Sequence, residues 1–542
     1  MNIASIDLIV IIIYIVGIVT VGILSVKKII GQSSDDYFLA GRSLRWGVIG
    51  AALFASNIST IHIIGFAESG FTTGLLDGIF EWMAIPCLVF FGLFVAPFYF
   101  RKKISTIPEY FEKRFNSATR TFMVVFAILT ALLIHIGISL YAGAEICKQF
   151  FGLDILPAII LISVLTAIYT VLGGLKAVVI TETIQAGLLL GGAITITLFG
   201  LFALPEANVH NFAEFKALLK PDQLSMLRSP DSPNSGGIPW YAVLLGYPVL
   251  GIWYWCADQT IVQRALGARS QRDCRIGPMF TAILKLAPVF FMLLPGVIAY
   301  VIFSDIIRED TGQTLPIMIN QLLPTGLKGL VIASLLAALM SSVAAALNSS
   351  STLVSVDIFK RLIPKATDRQ MVFIGRLTAV VVMVLAITWS TQAYRFGEGI
   401  IHTVNSLGAM IAPSICTVFL FGVFWKRGTE QAAVATFMIG LTLGILQFLL
   451  DIPLIGNIRI ITDGLGIGFM MQIWWVFCIC CLVFVVVSYL TPKPKPEQIA
   501  NTWEAKHYFP DRKIKSIKDI RVIGICIVLI LIVLWTLLEF IA

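Results

Sequence analysis

Polar and ionisable side chains interrupt the apolar runs of this sequence at a few places, and their types suggest a binding site. The stretch ASNISTIHIIG holds Asn57 and His62, five residues apart, beside Ala55, Ser56 and Ser59, small residues that let a helix unwind. FEWMA contributes Glu81, TETIQ contributes Glu182 and Gln185, and AILKLAP contributes Lys285. GIWYWCADQTIVQR brings Trp253, Tyr254, Trp255 and Asp258, and ALMSSVAAALNSSSTL carries Ser341, Ser342, Asn348, Ser349, Ser350, Ser351 and Thr352. Such groups are costly in hydrocarbon, so each is a functional candidate. A carboxylate, an amine, an imidazole and an amide among aromatic faces suit sugar hydroxyls and the C–H face of a sugar ring. No nucleophile–base pair or metal-ligand set accompanies them, so an enzyme is the least favoured class and no catalytic residue is expected.

Each candidate also has a plain structural reading. Ser341 and Ser342 could bond back to their own helix at a tight contact. His62 could be a hydrogen-bonded core histidine, Glu81 could pair with a cation near the outer interface, and Lys285 could snorkel. Tyr254 and Trp255 could belong to an interfacial belt, and Asp258 could pair with Arg264 at the cytoplasmic edge.

The elements that must position these residues are membrane helices. The chain has 542 residues, of which 58% are hydrophobic and 13% charged, with a mean hydropathy of +0.91. Apolar runs long enough to cross ~30 Å of hydrocarbon fall at about 5–26, 48–70, 80–100, 120–147, 152–173, 177–203, 238–262, 279–303, 326–359, 371–392, 398–424, 430–450, 471–491 and 521–541. The expected class is all-α and polytopic, with fourteen transmembrane helices. Placing both termini outside puts 30 of the 39 Lys and Arg in cytoplasmic loops, 8 outside and Lys285 within a helix, as the positive-inside rule requires. The net charge of +8 then reflects topology and anionic lipid rather than nucleic acid. The first apolar run lacks a basic leader and is not expected to be a cleaved signal. Nine cysteines show no metal-ligand spacing and read as small apolar filler. The longest loops, 204–237 outside and 492–520 inside, are too short for a soluble domain, so residues 1–542 read as one transporter domain.

Secondary transporters place their sites where two inverted repeats meet, at discontinuous helices. Spans 48–203 and 238–424 give five plus five, preceded by 5–26 and followed by three helices over 430–541. The first helix of each set is the most polar, containing SNIST and WYWCADQ. This division rests on span count and polarity.

With these features in view, the chain resembles the sodium/solute symporter family, and within it the sodium–glucose cotransporter branch. The resemblance runs through DDYFLAGRSL (35–44), FASNIS to HIIG, FEW (80–82), STIPEYFEKRF (105–115), AIYTVLGGLKAVV (167–179), IWYWCADQTIVQR (252–264), LKLAP (284–288), MSS…LNSSSTL…DIF and VFWKR (423–427). It implies a LeuT-type fold, with one helix before and three after two inverted five-helix repeats. It implies a sodium site on Ala55, Ile58, Ala338, Ser341 and Ser342, using backbone carbonyls from the first three and hydroxyls from the serines. The implied sugar site comprises Asn57, His62, Glu81, Tyr254, Trp255, Lys285 and Asn405. Tyr254 would be the inner gate, Phe66, Phe80 and Ile401 the outer lid, and Glu182 and Asp258 possible coupling residues. Three positions depart from the family pattern: Asn405 stands for a glutamine, Gly251 for a polar residue and Glu182 for an aspartate.

The implied function is sodium-driven symport of a glucose- or galactose-like monosaccharide by alternating access. Its partners would be a sodium ion, the sugar and the bilayer, with no nucleic acid and no obligatory protein partner. The alternatives are an inositol, a sialic acid or a small carboxylate on the same fold, or a sensor or channel that binds without accumulating. One sodium per sugar is expected, because two-sodium members of the family place hydroxyls where this chain has Ala344 and Ala345. A cell-membrane location, in a bacterial inner membrane, is the accompanying expectation.

Overall fold

The computed structural model describes residues 3–26, 32–230, 232, 238–308, 310–392, 400–451, 459–509, 514, 516 and 519–542, without the side chains at 61 and 400–407. The long helical elements are α1 (Ser5–Leu24), α2 (Trp46–Asn57), α3 (Thr60–Thr72), α4 (Gly78–Arg101), α5 (Ser117–Phe151), α6 (Ile155–Ala203), α7 (Trp240–Ile252), α8 (Gln259–Leu266), α9 (Gln271–Ile307), α10 (Leu327–Leu362), α11 (Asp368–Ser390), α12 (Ile400–Phe424), α13 (Glu430–Asp451), α14 (Phe469–Leu490) and α15 (Ile520–Ile541). Among the described residues ten helices are long and apolar enough to cross a membrane, or eleven when the bent pair α2–α3 counts as one span.

Burial separates centre from rim. The apolar window of α10 is 94% buried, whereas those of α1, α14 and α15 are 22% buried. The rim helices turn Ile13, Leu482 and Leu537 outward, as helices bathed in lipid tails must. The centre is where the polar residues lie, so their hydrogen bonds have to come from neighbouring helices.

Two breaks shape that centre. At the first, Ile58 and Ser59 are extended and α2 meets α3 at 60°. Ser59 N–H donates to His62 Nδ1 at 3.2 Å, across the break and not back to Ala55. At the second, a wide π-type turn over Trp253–Ala257 leads to Asp258, which is extended and separates α7 from α8. Its Oδ1 accepts Thr260 N–H at 2.7 Å and caps α8. A capped break keeps its orphaned backbone donors satisfied, which is the condition for irregular backbone inside a membrane.

The runs expected at 152–173 and 177–203 are one helical stretch, α6, broken at Gly174. Its 49 residues would reach ~75 Å at ~1.5 Å per residue, over twice the hydrocarbon thickness. Gly174 makes the break with φ +60° and ψ −159°. The described part of the segment between α14 and α15 packs on the bundle: Trp503 stacks on Tyr508 at 5.6 Å, and its backbone N–H donates to Val423 at 2.8 Å.

Candidate solute cavity and sodium site

The two breaks face one cavity of about 140 Å³. Asn57, His62, Glu81, Tyr254, Trp255 and Lys285 all line it, as do Phe66, Phe80 and Ser342. Lys285 is its electrostatic centre. This amine, 1% exposed, donates to Glu81 Oε2 at 2.6 Å and to Asn57 Oδ1, and lies 5.4 Å from the Trp255 ring centroid. Asn57 in turn donates to the Tyr254 hydroxyl at 3.1 Å. Lys285 therefore does not snorkel, and the cation for Glu81 comes from inside the cavity, not from the outer interface. The Glu81–Lys285 pair is electrically self-contained, and its unused lone pairs remain for hydroxyls.

His62 combines its two possible roles. Nδ1 accepts the Ser59 amide and Ser59 Oγ lies 2.9 Å away, so the ring caps α3; in its neutral form the proton then sits on Nε2. The ring also lines the cavity, edge-on to Phe66 at 5.6 Å. Phe80 lies beside Tyr247 and Phe469, and its carbonyl accepts the Tyr247 hydroxyl at 2.6 Å. Asn405 and Ile401 lie on α12, and their side chains fall outside the described residues.

Directly beside this cavity the first break brings oxygens together. With the Ser59 amide turned to His62, the Ala55 carbonyl takes its donor from Ser341 Oγ at 2.9 Å. Ser341 is also 2.8 Å from the Ala338 carbonyl. Ser342 Oγ reaches Ala338 O at 3.2 Å and Ser56 O at 3.4 Å, and Ile58 is buried at the break itself. Neutral hydroxyl and carbonyl oxygens, drawn from α2 and α10, are a donor set that fits a hard monovalent cation. The serines are thus both bonded back to their helix and bridged to α2.

Below these serines the expected Asp258–Arg264 pair gives way to a different one. Arg264 reaches Glu182, with Nη2 2.5 Å from Oε1 and Nε 3.2 Å from Oε2, and both side chains are fully buried. Ser56 Oγ donates to the same carboxylate at 3.0 Å, so Ser56 touches the ion pair with its side chain and Ser342 with its carbonyl. Asp258 instead lies 3.0 Å from His135. His135, Tyr247 and Ser139 also line the cavity and were not singled out by the sequence reading. For His135 the signal was present, since LLIHIGI sets an ionisable ring inside an apolar run; an aromatic such as Tyr247 carries no comparable mark.

A helical bundle with two broken helices around a polar cavity defines a secondary transporter. The chain belongs to the sodium:solute symporter family, whose profile it matches over residues 37–440. It is 31% identical to solute carrier family 5 member 4A of Mus musculus over 527 residues, covering 91% of this chain and 80% of the relative. It is also 31% identical to the sodium/myo-inositol cotransporter of Homo sapiens over 549 residues (92% and 76% covered) and to sodium/glucose cotransporter 1 of Mus musculus over 538 residues (92% and 80%). Among solved structures it is similar to a Na+-coupled sialic acid symporter in a substrate-bound outward-open state, with TM-score 0.77 and 24% identity over 91% of this chain and all of the other. A nucleobase-cation-symport-1 family transporter in a closed conformation shares the fold more distantly, with TM-score 0.54 and 15% identity over 89% of this chain and 100% of the other. The protein is therefore a multi-pass, all-helical, sodium-coupled solute symporter with LeuT-like structural neighbours, and not an enzyme.

Proposed function

We propose that this protein moves a neutral polyhydroxylated solute, a monosaccharide or cyclitol, inward with one sodium ion by alternating access. The observation that carries the reading is the charge-balanced Glu81–Lys285–Asn57–Tyr254 network in the cavity, whose Asn57 lies two residues from Ala55, the acceptor of Ser341 Oγ. A hydroxyl can both accept from Lys285 and donate to Glu81, whereas a carboxylate would compete with Glu81 for the amine and leave one anion unpaired. The names of the glucose and myo-inositol relatives support the same chemistry.

Sodium would sit on Ala55, Ile58, Ala338, Ser341 and Ser342, clamping α2 to α10, and the solute would sit on Asn57, His62, Glu81, Tyr254, Trp255, Lys285 and Asn405. Asn57 is the last residue of α2, so ordering the break for sodium also orders a solute ligand. Coupling follows when both ligands prefer the same arrangement. Phe66, Phe80 and Ile401 would close the cavity from outside and Tyr254 from inside.

Counting α6 as two spans, α2–α3 and α7–α8 as one each, and α12 as one gives the fourteen-helix architecture, with repeats over 48–203 and 238–424 and both termini outside a bacterial cell membrane. The placement of the two breaks in the first span of each repeat supports it. The test is uptake of radiolabelled D-glucose and myo-inositol into proteoliposomes under an imposed sodium gradient, competed with neutral polyols and with carboxylates. Sodium-driven uptake blocked by polyols alone supports the reading. Competition by carboxylates alone removes the neutral-solute reading, and sodium-independent uptake of both removes the coupling.

A further inference from the structure

The transport reading leaves one ionisable residue of the cavity wall without a role. His135 lies in a wide π-type turn of α5, Ala131–Ile138, and its ring centroid is 6.0 Å from that of Tyr254. Its Nε2 is 3.0 Å from Asp258 Oδ2. Asp258 is the extended residue between α7 and α8, preceded by another wide turn, Trp253–Ala257. Single wide turns inside α-helices recur at functional positions, and here two of them meet at one imidazole–carboxylate contact. His135 lines the cavity and its Nε2 holds the residue at the second helix break.

What lies beyond the break gives the contact its consequence. Helix α8 is tied to its neighbours by buried side-chain hydrogen bonds. Gln263 Nε2 donates to the Phe38 carbonyl at 2.8 Å and to Thr352 Oγ1 at 2.6 Å, tying α8 to the Ser34–Leu39 helix and to α10. Gln259 Oε1 accepts the backbone amide of Ile107 at 2.8 Å, tying α8 to the Ile107–Arg114 helix. All of these groups are buried. Asp258 caps the first turn of α8, so the His135–Asp258 contact fixes the start of this tied-down element.

Resting on the transport reading above, we infer that His135 contacts the solute and, through Asp258, makes opening of the inner side depend on the cavity being filled. The chemistry follows from the contact already made. In the neutral ring Asp258 accepts the Nε2 proton, which leaves Nδ1 as an acceptor for a ligand in the cavity. A solute hydroxyl is the complementary donor and a carboxylate, which only accepts, is not. A hydroxyl donated to Nδ1 polarises the ring and strengthens the Nε2–H donation to Asp258, so filling the cavity changes the hold on the start of α8. The charged and titratable groups around the ring besides Asp258 are Tyr254 and, across the cavity, His62 and the Glu81–Lys285 pair.

The experiment compares wild type with His135→Phe, His135→Gln and Asp258→Asn in proteoliposomes. It uses radiolabelled D-glucose and myo-inositol, with equilibrium binding and sodium-driven uptake measured on each variant. His135→Phe, which can neither accept from a hydroxyl nor donate to Asp258, is expected to raise the half-saturating solute concentration about 10-fold, the effect of one neutral hydrogen bond. It should leave the half-saturating sodium concentration unchanged. His135→Gln keeps a donor and an acceptor and should restore solute affinity to within about 3-fold. Asp258→Asn should bind solute as wild type does but change the maximal rate, because the ring contact and the α8 cap are weakened and not the cavity. Wild-type solute affinity and rate in His135→Phe overturns the inference, and so does a His135→Gln variant as impaired as His135→Phe. Should the phenylalanine variant not fold, Asp258→Asn decides alone: wild-type binding with an altered maximal rate supports the inference, and wild-type kinetics overturn it. Wild-type vesicles that take up neither solute remove the transport reading as well, which separates the two failures.

Discussion

Lys285 brings an ammonium into an apolar wall, and its neighbours decide whether that is tolerable. Glu81 balances the charge, Asn57 takes a second proton, and Phe54 and Trp255 offer ring faces at 5.9 and 5.4 Å. Removing one member of a buried pair strands the other, at about 3–5 kcal/mol, whereas replacing both with apolar groups costs much less. Glu81→Gln and Lys285→Met should therefore each lower the unfolding temperature, and the double variant should recover much of it. Solute binding should follow a different rule. Glu81→Gln is expected to lose about 1.5–3 kcal/mol of binding, roughly 10- to 150-fold, because the charge-assisted acceptor is gone. The double variant should not regain it. Dialysis of labelled glucose against the folded variants checks this, and unchanged affinity in Glu81→Gln would leave the pair a purely structural one. Ser341→Ala and Ser342→Ala should raise the half-saturating sodium concentration of uptake at least ~10-fold, since a methyl supplies no oxygen. Sodium dependence like that of wild type would place the ion elsewhere. These residues were legible because ionisable and hydroxyl side chains inside apolar runs announce themselves. Their partners were not. Arg264 bonds Glu182 across 82 positions rather than Asp258 six residues away, and only the packing of α6 against α8 settles that choice.

Helix breaks are the next level of organisation, and each depends on a few side chains. The run of small residues at Ala55–Ser59 signalled unwinding, and α2 ends at Asn57 as that run suggests. The role of His62 as a cap was hidden, since capping requires knowing where the helix starts. The Gly174 break shows the same limit. The gap between the runs at 152–173 and 177–203 marked a break, but the need for glycine comes from the tertiary contact. A Cβ on Gly174 would stand 2.4 Å from the Tyr37 carbonyl and 2.8 Å from its ring, in a backbone conformation that only glycine adopts readily. Gly174→Ala should destabilise the protein by at least ~1–3 kcal/mol from the backbone alone. Thermal unfolding of the purified variant measures this. Sodium and solute affinities of the folded fraction should stay at wild-type values, and an unshifted unfolding temperature would contradict the packing described for Tyr37.

At the scale of the whole molecule, the proposed sodium and solute sites share one helix break, and their charge would limit what can enter. Glu182 is already satisfied by Arg264 and Ser56, and the neighbouring turn of α10 offers the methyl groups of Ala344 and Ala345, both buried. On the proposed one-sodium reading, the Glu182 carboxylate is held by a tethered guanidinium and is not free for a second cation. The all-α, multi-pass membrane class was readable from hydropathy alone. The packed course of the α14–α15 loop was not, because its anchors are tertiary: Trp503 on Val423, and Lys426 paired with Glu504 at 2.7 Å. With Lys506 at 3.0 Å on the other side, these hydrogen bonds hold the Glu504 carboxyl down at about 2. The measurement that bears most directly on the account is the reversal potential of solute uptake in proteoliposomes, with the sodium gradient and membrane voltage set independently. The account predicts one sodium and one charge moved per glucose or myo-inositol, with uptake blocked by other neutral polyols. Two charges per solute would contradict the neutralised Glu182, and a flux that ignores the sodium gradient would contradict the coupling itself.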